Sequence, residues 1–524
     1  MTEKACCARS GGHAGRDGSA SQAPEAYGKL LSLLAEVYDI RRAIAVLDWD
    51  QKTYLPPGGT EARGEQVGTL ASIAHSKGTS REVGDLLVSL AEYERSLSYD
   101  SDEASMIRVT RREYEQFVKI PADLVAEMSR AGAIGYGKWV EARIANDFGV
   151  FRPALEHLLG ISRQIAQALG YGERPMDAFV DLAEPGMTAA KCQALFDDLR
   201  EVLLPLVKAI VAKSPGNEDA ILGQYFSAGG QMQCGVGAVR AIGFDDRQRG
   251  RVDFTVHPFT TSFSPDDVRI TTRVDENSFA QCFFSLLHEA GHGIYEQGIP
   301  ARFRRTQLGG GASAGMHESQ SRLWENIVGR SREFWQFLLP RAQAFFPAQL
   351  GQASVDGLYR AVNRVRPSFI RTEADEVTYN LHIMMRFELE KDMLEGRLTV
   401  SDLKDAWNHK METYLGIRVP SDLQGVLQDV HWSGGVGGGF QGYTLGNVIG
   451  VQLFEAARKA HPGLRDEFRR GEFSALFNWM RENVHARGAK FTPEELVERA
   501  CGGPLSAKPY LDYISTKYSE VYGL

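Results

Sequence analysis

The chain has 524 residues, 43% of them apolar and 24% charged, and a formal net charge of −8. These proportions describe a folded, weakly acidic soluble protein and speak against a disordered chain or a dedicated nucleic-acid binder. No apolar run approaches the ~18 residues needed to cross a membrane, and six scattered cysteines read as free thiols of a reducing, cytoplasmic compartment.

Residues 1–24 are rich in Gly, Ser and Ala, lack the apolar stretch of a secretory signal, and are expected to be a disordered tail. From residue 25 on, helical periodicity dominates. Leu30, Leu33, Leu34, Val37, Ile44 and Leu47 form an amphipathic stripe that stops at Pro56-Pro57-Gly58-Gly59. Segments 103–131 and 150–170 read as long outer helices with one apolar face turned inward. No repeat or polar linker divides residues 25–524, so a single, mainly α domain is expected.

One stretch breaks the helical period. Between Arg251 and Arg273, Val252, Phe254 and Val256 alternate, as do Val268, Ile270 and Thr272, which predicts two short strands around a proline-containing loop. They would serve either as a structural hairpin or as an edge that pairs with an extended peptide. A helix capped near Asn277 or Ser278 should follow.

That helix carries His288-Glu289-Ala290-Gly291-His292, an HExxH pattern. Histidines four apart are offset by only ~40° around a helix and can lean toward one metal ion, with Glu289 placed to act on water there. Cys282, six residues earlier, points away and reads as a small buried residue. A catalytic zinc takes a third protein ligand. Glu296 continues the series, but a helix rises ~12 Å over eight residues, too far for ligand atoms that each lie ~2 Å from one ion. Glu318 is preferred, since the loop Gly309-Gly310-Gly311 lets a second helix return toward the histidines. Glu325 is its rival. His317 could ligate only in place of Glu318, because helical neighbours diverge by ~100°. Such a site hydrolyses amides: zinc, or cobalt or another divalent ion, makes water acidic, and Glu289 passes the proton to the leaving amine.

At "FSLLHEAGHGIYEQG" and "GMHESQSRLWEN" the chain resembles the carboxypeptidase Taq family of metallocarboxypeptidases. "LDWDQKTYLPPGG" at 47–59, "HPF" at 257–259, "DVRIT" at 267–271, "IRTEADEVTYNLHI" at 370–383 and "GVLQDVHWSGG" at 425–435 extend the likeness from about residue 25 to the end. The resemblance implies a large helical fold of two lobes around a deep central cleft, commonly a homodimer. It implies removal of single C-terminal residues from peptides with broad preference. It maps the metal ligands onto His288, His292 and Glu318 and the catalytic glutamate onto Glu289.

The same resemblance makes Arg269 and Arg371 candidates for holding a terminal carboxylate, and His257, His431 and Tyr443 candidates for substrate contact. Either arginine could instead be a structural partner, Arg269 of Asp267 and Arg371 of Asp375. The family pattern Gly-Tyr-Phe-Pro-x-Tyr is replaced here by Gly438-Gly439-Phe440-Gln441-Gly442-Tyr443, which predicts a more mobile loop. Two other readings stay open: a zinc endopeptidase of the oligopeptidase type, and a catalytically silent metal- or peptide-binding homologue.

Overall fold

The computed structural model describes residues 24–214, 216–217 and 219–524. The tail expected over 1–24 therefore lies, Pro24 apart, outside the described residues. Helix prevails, as expected, because apolar residues recur at three-and-four spacing in successive segments. The first helix, Glu25–Thr53, buries Leu30, Leu34 and Val37 and stops shortly before the two prolines. Residues 103–131 form two helices rather than one, Asp102–Lys119 and Ala122–Ala145. Pro121 is the reason: it forces Ile120 out of helical backbone, to a ψ of 118°. The helix expected over 150–170 runs Phe148–Leu169.

The non-helical stretch holds three strands, not two. Strands β1 (Gly250–Phe254), β2 (Thr260–Ser264) and β3 (Asp267–Thr272) form a sheet in the order β1-β3-β2. β1 runs parallel to β3, and β2 antiparallel. β2 escaped the periodicity argument because it reads TTSFS and the one side chain it buries is polar, Ser262. Val268, Ile270 and Thr272 of β3 are buried as their alternation requires.

The histidine helix, Phe279–Gly298, has Ser278 at its N-cap position, as expected, and packs on β2 and β3. It is buried on nearly every face. Phe279, Phe283, Leu286, Leu287 and Ile294 all belong to one continuous core that takes in most of the chain from Ala142 to Tyr518. Each such side chain contributes ~1.5–3 kcal/mol through burial, which holds this helix in the core. The glutamate helix, Ala314–Arg322, is opened by Ser313, whose hydroxyl accepts from the Met316 amide, and runs on into a turn of π-helix over Leu323–Val328. A further helix, Gln441–Ala460, lies against the glutamate helix. The four cysteines within the described residues are free, and Cys282 is buried.

Candidate metal centre

Two glycines bring the ligand helices together. A Cβ on Gly291, inside the HExxH, would stand 2.5 Å from the Gln320 carbonyl oxygen and 2.6 Å from Ser321 Cα. One on Gly446 would stand 2.5 Å from Glu318 Cγ. Absence of side chains at these two positions lets the histidine helix and helix Gln441–Ala460 close on the glutamate helix from either side.

Glu318 Oε2 then lies 3.7 Å from His288 Nε2 and 3.4 Å from His292 Nε2. Three donors each ~2 Å from a tetrahedral ion should stand about 3.3 Å apart; both distances from Glu318 are near that value and all three donor atoms lie within 4.8 Å of one another, so the trio can gather round a metal such as zinc. Among the described residues these three form the group able to hold a metal ion. Glu318 is buried, which opposes its charge, but Arg322 at 2.7 Å and the two imidazoles hold its carboxyl well below the usual range. Burial pushes His292 down to about 4, favouring the neutral ring that a ligand needs.

The three rival ligands take other places. Glu325 stands 2.9 Å from His288 Nδ1, on the far side of the ring from Glu318. His317 Nδ1 stands 2.6 Å from His292 Nδ1, and its Nε2 lies 2.9 Å from Glu296 Oε1. Glu318, Arg322 and Glu325 share one helical face at spacings of four and three, so the guanidinium sits between two carboxylates.

Glu289 is buried beside the ligands. Its Oε2 accepts a hydrogen bond of 2.6 Å from the Thr260 hydroxyl, and burial raises its pKa above the usual carboxylate value. Thr260 carried no sequence signal; it reaches Glu289 through the strand that periodicity missed.

The substrate candidates divide. Arg371, His431 and Tyr443 come together: the Arg371 guanidinium carbon lies 5.1 Å from the centre of the Tyr443 ring, and His431 Nε2 is 3.4 Å from the Tyr443 hydroxyl. Arg371 pairs with Asp429 at 3.0 Å, not with Asp375, which instead caps the helix Thr378–Leu394 by accepting from the Thr378 amide. Arg386 pairs with the same Asp429, so two guanidinium groups share one carboxylate. Arg371 Nη1 also donates to the Tyr379 hydroxyl at 3.1 Å, and Arg322 lies 4.3 Å over the Tyr379 ring, which joins this cluster to Glu318. Burial lowers His431 to about 4 and raises Tyr443 to about 12.

Arg269 is elsewhere. Both carboxylate oxygens of Asp267 hold it, at 2.9 and 3.0 Å, and its guanidinium lies between the rings of Trp49 and Phe263. It ties β3 to the first helix. His257 is exposed in the connection between β1 and β2, three residues before Thr260.

The altered loop is anchored at several points. Glu390, fully buried, accepts from the Trp432 indole at 2.9 Å and the Gly438 amide at 3.4 Å, and the Ser162 hydroxyl accepts from the Val436 amide. Gly439 takes a φ of +87°, which a tyrosine there would resist, and Phe440 is helical, which a proline after it would disfavour. The substitutions thus match this backbone path.

The family model for carboxypeptidase Taq (M32) metallopeptidases matches residues 29–518. Thermostable carboxypeptidase 1 of Thermus thermophilus is 40% identical over 511 residues, covering 95% of this chain and all of that protein. Carboxypeptidase 1 of Bacillus subtilis is 37% identical over 94% of this chain and 98% of its own length. The crystal structure of an M32 carboxypeptidase from Deinococcus radiodurans R1 superposes with a TM-score of 0.92 at 46% identity, covering 96% of this chain and all of that one.

Proposed function

Given that this chain belongs to the carboxypeptidase Taq (M32) family of metallopeptidases, we propose that it releases single residues from the C-terminus of peptides at a metal held by His288, His292 and Glu318. Zinc, or cobalt or another divalent ion, would there acidify water and polarise the scissile carbonyl. Glu289 is the general base: buried, raised in pKa and held at Oε2 by Thr260, it takes the proton of the attacking water and hands it to the leaving amine.

The exopeptidase reading rests on one observation. Two buried guanidinium groups share the single carboxylate of Asp429, so the Arg371 cluster keeps one positive charge unmatched. A terminal carboxylate supplies the missing charge, with His431 and Tyr443 beside it to fix its orientation. Arg269 has no such surplus, because Asp267 matches it one to one. β2 is an edge of the sheet and its residue Thr260 touches Glu289, which suits it to align an extended peptide. A single domain over 25–524 and a homodimer, supported by the family resemblance, and a cytoplasmic location, supported by the free cysteines, complete the reading.

Incubating the metal-loaded protein with N-blocked peptides and weighing the products tests this. Stepwise loss of one C-terminal residue is expected. Internal cleavage would point instead to an oligopeptidase, and bound metal without cleavage to a silent homologue.

A further inference from the structure

Resting on that assignment of the metal ligands, we propose that His317 is a positioning residue: it fixes the tautomer and ring orientation of His292, with Glu296 as the terminal acceptor.

Consecutive residues of one helix grip opposite nitrogens of one ring. Glu318 Oε2 lies 3.4 Å from His292 Nε2, and His317 Nδ1 lies 2.6 Å from His292 Nδ1. Ligation through Nε2 requires that nitrogen to be bare, so neutral His292 carries its proton on Nδ1. His317 Nδ1 must then accept, which leaves the His317 proton on Nε2. That atom faces Glu296 Oε1 at 2.9 Å, and the carboxylate accepts. Each link has one donor and one acceptor. The other His317 tautomer would set two protons between two nitrogens 2.6 Å apart.

Glu296 cannot do this alone. It lies four residues beyond His292 on the same helix, ~6 Å further along the axis, and the imidazole of His317 fills that interval. The glycine loop is shaped for the imidazole: a Cβ on Gly311 would lie 2.8 Å from His317 Cδ2 and 2.9 Å from the Tyr295 ring. Tyr295 flanks His317 with ring centres 5.2 Å apart. The ligands are thus held by different means. His288 meets the carboxylate of Glu325 directly, whereas His292 meets another imidazole. A side chain that accepts at one end and donates at the other should replace His317, and glutamine is one.

The test is Co2+ titration of the metal-free, full-length protein, followed by visible absorption and by competition with a chelator, with unfolding midpoints of the metal-free forms as a fold control. His317→Leu should weaken Co2+ binding by about 10–100-fold and alter the absorption band. His317→Gln should bind within the same order of magnitude as the unaltered protein. Glu296→Leu, which leaves His317 and every ligand in place, should weaken binding in the same direction by a smaller factor, and serves if His317→Leu fails to fold. Unchanged affinity in His317→Leu or Glu296→Leu would overturn the proposal, as would a His317→Gln variant as weak as the leucine. Failure of the unaltered protein to bind Co2+ would overturn the ligand assignment together with it.

Discussion

Glu325 and His288 meet at 2.9 Å through the ring's Nδ1, so the ligand histidine is gripped on the side away from Glu318. The same carboxylate takes up Arg322 and Arg330; burial opposes its charge, but Arg322, His288 and Arg330 together hold its pKa at about 2. Glu325→Ala should therefore weaken metal binding by about 10–100-fold and also destabilise the fold, since two half-buried guanidinium groups lose a partner. Glu325→Gln, which keeps an acceptor for His288, should lose less of both. Metal competition and thermal unfolding measure the two effects separately.

Gly291 and Gly237 are both helical glycines, yet alanine should act on them in opposite ways. At Gly291 the added Cβ meets backbone of the glutamate helix, which cannot swing aside, so a loss of ~1–3 kcal/mol and weakened metal binding are expected. At Gly237, in the helix Ala228–Ala241, nothing lies within 4 Å, and alanine should stabilise by up to ~1 kcal/mol. Urea unfolding of both variants checks the contrast.

Glu390 gives stability a pH dependence. Burial raises its folded pKa from 4.5 to about 7, although Trp432 and the Gly438 amide pull the other way. The folded state therefore holds a proton that the unfolded state has lost between those values. The stabilisation is complete below about 4.5 and is lost as pH rises through about 7, a change of order ~3 kcal/mol. Glu184, which accepts from the Gly315 amide at the start of the glutamate helix, is raised to about 7 by burial and adds with the same sign. Glu390→Gln should gain stability relative to the unaltered protein as pH rises from 5 to 8. A difference that stays constant across that range would contradict the assignment.

Arg371 and Arg269 should separate by kinetics. Arg371→Ala removes the unmatched charge and should lower kcat/KM for peptides with a free C-terminus by roughly 10–150-fold, mainly through KM. Arg269→Ala breaks the contact between β3 and Trp49 and should lower the unfolding midpoint with a smaller effect on KM. Parallel kinetics and melting curves distinguish them.

The candidate ligand trio was legible in the sequence because helical spacing is local: it set two histidines on one face and excluded Glu296 by axial rise alone. What packs against the ligands was not legible. Glu325 and His317 stood out as rival donors, and assigning them to the outer nitrogens required knowing how two helices cross at Gly291. The partner of Arg371 was misjudged because Asp429 lies 58 residues away, whereas Asp375 lies four residues off and is consumed in capping a helix. Pro121 marked a helix boundary that periodicity ran through, and β2 carries too few apolar residues to announce itself.

Glu289→Gln, assayed at once for bound metal and for peptide turnover, tests the central claim most directly. The amide can still accept from Thr260 but cannot take a proton. One metal ion per chain should remain, while turnover falls by at least ~100-fold. Full activity with metal retained would contradict Glu289 as the base, and loss of the metal itself would contradict its separation from the three ligands.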